Sequence, residues 1–166
     1  MSTAIVLNTS PTLALIAALG SLELLAEIYD RVVFSDTVAQ EIHQAGQQGF
    51  GVLAFDQALQ KGPPFEQHAL SLPMAAWLTA ALDAGEASVI ALAQERNMPL
   101  VCIDELAGRR VARLNGLQVT GSLGVLLKLK AQNHIAAIAP CIARMRAQGI
   151  WLSSELRTQA MALANE

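Results

Sequence analysis

The stretch LDAGEASVIALAQERNMPLVCID, residues 82–104, decides the fold class. Its first half, from Asp83-Ala84-Gly85-Glu86 into ASVIALAQER, reads as a helix that is apolar on nearly every side, so it belongs in the centre of a fold rather than on its surface. Its second half, Pro99 to Ile103, is a continuous apolar run bounded by turn residues, as expected of a strand buried on both faces of a parallel sheet. A buried helix feeding a buried strand is the repeating unit of an α/β protein.

The same pattern extends in both directions. Upstream, AIVL before Asn8 is a second buried-strand run. Ser10-Pro11 then suits a helix start, with serine as cap and proline in the first turn, and the helix runs through LALIAAL to Gly20. A further helix is expected from Ser21 through ELLAEIY, a strand over Arg31–Phe34, and a helix capped by Ser35-Asp36 that carries Val38, Glu41 and Ile42. Residues 47–72 suggest a short helix over Val52–Leu59, a turn, and a strand near Glu66–Ser71. Downstream, GRRVARLNG reads as a short helix closed by Asn115-Gly116, LQVT as a strand, and Ser122 as the cap of GVLLKLKAQN. The C-terminal third is helical, broken near Pro140 and Gly149, with a last helix from Ser153 or Ser154. Strands alternating with helices predict an α/β fold with a mostly parallel central sheet covered on both faces. The expected organisation is one domain over 1–166, with a helical C-terminal extension from about residue 135.

Composition narrows the classes. The chain has 166 residues, 53% hydrophobic and 15% charged, which suits a globular core and excludes disorder. A net charge of −3 offers no overall attraction to a polyanion, so any nucleic acid must meet a local basic patch or a bound cation. Cys102 and Cys141 stand at no disulfide or metal spacing and read as small core residues, which suits a reducing compartment. The apolar run Leu13–Leu19 lacks a preceding basic segment and falls short of the roughly 20 residues needed to span a bilayer. The expectation is a cytoplasmic protein with no membrane contact.

Four oxygen-bearing side chains occupy positions where a mostly apolar chain has little reason to place them. Asn8 and Asp104 each end a strand, where open α/β sheets bind ligands; Glu41 lies in an apolar helical stretch and Glu86 opens another. Each also has a structural explanation: Asn8 and Asp104 as helix caps, Glu86 as the partner of Asp83 in a capping box, Glu41 as an exposed helix-edge residue. Gathered together, they would make an all-oxygen site for a hard cation, Mg²⁺ or Mn²⁺. The Asn8 amide would give a neutral carbonyl oxygen and could not act as a base. Arg109, Arg110 and Arg113, with Lys128 and Lys130, could meet phosphates or could form a solvated face. His43, His68 and His134 have no partners at zinc-like spacing. No GxGxxG, GxxxxGK[ST] or nucleophile-elbow motif is present, so dinucleotide, P-loop and α/β-hydrolase chemistry lack support.

With these residues in view, the segments LNTSPTLALIAALGSLELL, TVAQEI and LDAGEASVIALAQERNMPLVCIDELAGRRVARLNGLQVTGSLGVLLKLK resemble a PIN domain, and in particular a prokaryotic subfamily related to VapC-type toxins. The resemblance implies a three-layer α/β/α fold and a Mg²⁺- or Mn²⁺-dependent endoribonuclease. It places the catalytic and metal-binding residues on Asn8, Glu41, Glu86 and Asp104, and a small hydroxyl near the metal at Ser10; with that site, RNA contacts are expected at Ser10, Arg109, Arg110 and Arg113. It also implies RNA as substrate, a small antitoxin as partner, and a homodimer. The chain departs from the family pattern at Asn8, where aspartate is expected. The alternative is therefore a catalytically attenuated PIN fold that binds nucleic acid or regulates.

Overall fold

The computed structural model describes residues 3–45 and 50–166, so the stretch beginning at residue 47 lies partly outside the described residues. Five strands form the sheet: β1 (Ala4–Leu7), β2 (Arg31–Ser35), β3 (Phe65–His68), β4 (Leu100–Cys102) and β5 (Gln118–Thr120). They lie in the order β3-β2-β1-β4-β5, and every pairing is parallel. Val6 of β1 pairs with Val33 on one side and Val101 on the other. The continuous apolar runs seen in the sequence are therefore the three central strands, while β3 and β5 form the edges.

Helices connect and cover the strands: α1 (Thr9–Leu19), α2 (Asp36–Ala45), α3 (Val52–Lys61), α4 (Ala76–Ala81), α5 (Ala84–Glu95), α6 (Leu106–Leu114), α7 (Ser122–Ala131), α8 (Ala139–Ala147) and α9 (Ser154–Leu163). Right-handed crossovers put α1 on one face and α5 with α6 on the other, which gives a three-layer α/β/α arrangement. In α5, Ala87, Val89, Ile90, Leu92 and Ala93 are all fully buried, as its all-round apolar sequence requires. Each of its larger aliphatic side chains contributes roughly 1.5–3 kcal/mol by leaving water.

Several local expectations are corrected. Helix α1 starts at Thr9, with Asn8 in the cap position but making no side-chain cap bond. Ser10 therefore lies in the first turn instead of capping it, and Pro11, lacking an N–H, costs nothing there. The helix expected after Ser21 is a five-residue 3₁₀ helix, Glu23–Glu27. Leu22, Leu25 and Ile28 are buried at three-residue spacing, which suits three residues per turn. Strand β3 ends at His68, and α4, a single exposed turn and a half with only Leu78 buried, carries too weak a pattern to be read. Gly121, not Ser122, occupies the cap position of α7.

The C-terminal helices are tied to the rest by polar contacts at helix ends. Arg144 Nε donates to the carbonyl of Ala18 near the end of α1 at 2.7 Å, satisfying one of the acceptors that every helix leaves open there. The Glu166 carboxylate accepts from the amides of Ile138 and Ala139 at 2.7 and 2.9 Å and from Lys130 Nζ at 2.6 Å. Lys128 Nζ donates to the Ile28 carbonyl and lies 4.1 Å from the centre of the Tyr29 ring. Both lysines thus hold the fold together rather than face a phosphate. No helix among the described residues is long and apolar enough to cross a membrane.

Candidate metal centre

The strand order reverses between β1 and β4, and the crevice outside their carboxyl ends is the expected ligand site of such a sheet. Asn8 follows β1 directly, and its backbone N–H donates to the Cys102 carbonyl at 3.0 Å, extending the ladder past the strand end. The side chain is 3% exposed, and its Oδ1 is buried with no hydrogen-bond partner. A cap would have engaged that oxygen with a helical N–H. The capping explanation therefore fails for Asn8.

Glu41 projects from α2 toward the same end of the sheet. Its Oε2 accepts a hydrogen bond from the Thr9 hydroxyl, next to Asn8, and its carboxylate lies where a side chain on Gly85 would otherwise sit. Glu41 is therefore not a freely exposed helix-edge glutamate. The hydroxyl that meets the acids is that of Thr9, while Ser10 is exposed.

Glu86 is only 4% exposed. Half of the expected capping box exists: the Glu86 N–H donates to Asp83 Oδ1 at 2.8 Å. Its own carboxylate turns toward α6, where a Cβ on Gly108 would come within 2.5 Å of Oε1, and that oxygen is buried and unpartnered. Burial, and then the negative charges of Asp83 and Glu105, push its pKa above the ordinary glutamate range, against the pull of the Asp83 and Gly108 amides.

Asp104 follows β4. Its Oδ1 accepts from the Ser122 amide at 2.7 Å, so it caps the start of α7 and not the helix that follows it in sequence. A Cβ on Gly121 would stand 2.6 Å from that oxygen and 3.0 Å from Arg109 Nη1. Although the residue as a whole is exposed, enclosure of its carboxylate draws the pKa upward, opposed first by the Ser122 amide. The Gly121–Gly124 stretch thus makes room for the Asp104 carboxylate rather than forming a phosphate loop.

The contacts run from Thr9, next to Asn8, to Glu41, from Glu41 to Gly85, which precedes Glu86, and from Glu86 to Gly108; Asp104 meets Gly121 separately. Three glycines, each on a different element from the acid it faces, leave the room that three carboxylates occupy. Of the arginines, Arg109 donates from Nη1 to the Ile103 carbonyl at 2.8 Å and braces the turn after β4. Arg110 and Arg113 are exposed on α6. Sequence reasoning missed Thr9 and also Glu105, whose Oε2 is buried without a partner. The tandem Asp104-Glu105 at a strand exit was the available signal.

Residues 4–166 match the family model of a PIN domain. The chain belongs to the PIN domain family. The fold is also similar to that of a solved structure, a PilT N-terminus domain protein, SSO1118, from the hyperthermophilic archaeon Sulfolobus solfataricus P2. The two share 21% identity over 75% of this chain and 92% of that one, with a TM-score of 0.55. No curated protein matches the chain. PIN domains are typically nucleases and generally use divalent metal ions.

The oxygens of this PIN domain suit such an ion. Asn8 Oδ1 and Glu86 Oε1 are buried acceptors that no protein donor satisfies, and leaving them so carries a desolvation cost that a cation would remove. No group of three or more His, Cys, Asp or Glu side chains among the described residues is placed to hold a metal ion. A small hard cation that keeps several waters and touches few carboxylates needs no such group.

Proposed function

We propose that this PIN domain is a metal-dependent endoribonuclease that hydrolyses RNA phosphodiesters, acting as the toxin of a toxin–antitoxin pair of the VapC-related kind. The observation that carries the reading is the pair of buried, unpartnered oxygens of Asn8, which follows β1, and Glu86, in the first turn of α5. Glu41, Glu86, Asp104 and Asn8 would hold the ion. Bound there, Mg²⁺ or Mn²⁺ would offset the charge of the phosphodiester and help ionise the attacking water. Thr9 steadies Glu41, and the Ser122 amide steadies Asp104. Arg110 and Arg113, exposed on α6 close in sequence to Asp104, would draw the RNA backbone to an otherwise acidic site. A small antitoxin with a basic segment would suit the same pocket by charge. The exposed Trp77 and Trp151 offer apolar surface for a homodimer.

Mn²⁺-dependent cleavage of structured RNA by the purified protein, beside Asp104→Ala, tests the reading. Cleavage should depend on the ion and fall to background in the variant; equal activity in both would sink the assignment. The amide at Asn8 favours a second reading, a PIN fold of reduced turnover that binds nucleic acid or a basic partner peptide. Asn8→Asp separates the two: a large gain in cleavage or metal affinity would mean that the natural site is attenuated.

A further inference from the structure

Two arginines of the C-terminal helices are left over once the contacts that hold the fold are assigned. Arg144 on α8 is committed to the Ala18 carbonyl. Arg146 on α8 and Arg157 on α9 form no ion pair among the described residues. Both line one cavity of about 210 Å³ between the two helices, whose other walls are Ala139, Ile142, Ala143 and Met161. A second cavity shares Arg157 and Met161 and continues along α9 past Thr158 to Glu166, so the two make one groove. The only acid lining it among the described residues, Glu166, is already engaged by Lys130 and by the amides of Ile138 and Ala139. The groove therefore has two cations and an apolar wall, with no counter-charge of its own.

Arg157 serves no local purpose where it stands. It lies in the first turn of α9, where a cation opposes the positive end of the helix. Its Nε is buried with no acceptor, which costs the folded state the hydration of a charged donor. Its two terminal nitrogens are neither bonded nor enclosed, so the guanidinium is held against the groove wall with its outer edge open. We propose that the groove between α8 and α9 binds a short segment of another protein that carries a carboxylate side chain beside an aliphatic one. The carboxylate would take the open fork of Arg157, the geometry that a planar guanidinium matches best. Arg146 would add charge from the facing helix, and the aliphatic side chain would cover Ile142 and Met161. A nucleic-acid strand suits the groove less, because no aromatic side chain lines it for a base to stack on and its phosphates would run toward Glu166. The groove shares no residue with the candidate metal centre, so the inference goes beyond that reading and does not depend on it.

The test is fluorescence anisotropy on the full chain with three probes: a short labelled peptide alternating leucine and glutamate, the same peptide with glutamine for glutamate, and oligouridylate RNA. The glutamate peptide should bind about tenfold more tightly than its glutamine counterpart, and Arg157→Gln and Arg146→Gln should each remove most of that difference. Arg157→Lys keeps the charge without the fork and should bind in between. In the protein without peptide, Arg157→Met should leave Tm within a degree or two or raise it, since the side chain it removes has no partner. A fall of several degrees would make Arg157 a strut of the fold and overturn the proposal. So would equal binding of the two peptides, no binding of either, or glutamate-peptide binding that both arginine variants retain. RNA binding that is lost in the same variants would assign the groove to a polyanion instead. A dimer seen by sedimentation that Arg157→Gln dissolves would assign it to a second copy of this chain.

Discussion

A Cβ on Gly108 would stand 2.5 Å from Glu86 Oε1 and 2.9 Å from Ile103 Cγ2. The glycine in α6 is therefore the seat of the Glu86 carboxylate. Gly108→Ala improves intrinsic helix propensity by about 1 kcal/mol, so the fold should tolerate it while the carboxylate is displaced. We expect Mn²⁺-dependent cleavage to fall by roughly tenfold or more, with Tm changed by only a few degrees. Full activity in this variant would show that the position of Glu86 is unimportant.

Glu86 itself should reveal a conflict between stability and function. Its pKa is raised above the ordinary 4.5, chiefly by burial, so the folded state holds its proton more tightly than the unfolded state. The stability this provides is complete below the unfolded value and is lost as pH rises through the folded value. At neutral pH, without divalent metal, the ionised group is a burden. Glu86→Gln should then raise Tm by about 2–4 °C, and the gain should vanish in melts below the ordinary glutamate pKa. A variant that melts lower at neutral pH without metal would contradict this.

The sheet edge should show the opposite pH sign. Glu66 on β3 accepts from Arg31 Nε and Nη2 on β2, each at 2.7 Å. That bidentate bond, with help from His68, pulls the Glu66 pKa from 4.5 to about 2. The stabilisation is present above 4.5 and is lost as pH falls toward 2. Because Arg31 is 37% exposed, screening should limit the pair to about 1 kcal/mol or less. Glu66→Gln should flatten the acid limb of a plot of Tm against pH, and an identical acid limb would refute the linkage.

Thr9→Val removes the hydroxyl that donates to Glu41 while keeping the shape of the side chain. Loss of a supporting partner of this kind typically costs about 10–100-fold in metal affinity. Calorimetric titration with Mn²⁺ should show a loss in that range, with RNA binding in the absence of metal unaffected.

The legible parts of the chain were those dictated by burial on all sides. The runs AIVL, RVVF and LVC had to be central strands, and α5 had to be interior, because nothing in them could face water. Asn8, Glu41, Glu86 and Asp104 were visible as oxygens out of place, and two of them, Asn8 and Glu86, prove to carry buried oxygens with no partner. The rest was hidden for physical reasons. Helix α4 buries one side chain, too few to give a period. Arg109 looked like a phosphate contact because charge is visible in a sequence, whereas its bond to the Ile103 carbonyl is not. Glu105, beside another acid and before a basic helix, resembled ordinary solvated charge. Gly85, Gly108 and Gly121 gave no signal, since their role is to leave space empty.

The backbone beneath the centre belongs to the sheet. Asn8 N–H bonds to the Cys102 carbonyl, and Ile103 N–H to the Thr120 carbonyl, both at 3.0 Å. These donors continue the ladder directly under Asn8 and Asp104, with no hinge between ligand and strand. In hydrogen–deuterium exchange, the amides of Asn8 and Ile103 should therefore open only with the molecule as a whole. Metal uptake and tertiary structure should disappear together at one denaturant midpoint. Side chains mounted in this way at Asn8 and Asp104 share the fate of the sheet itself, so their positions last as long as the fold does.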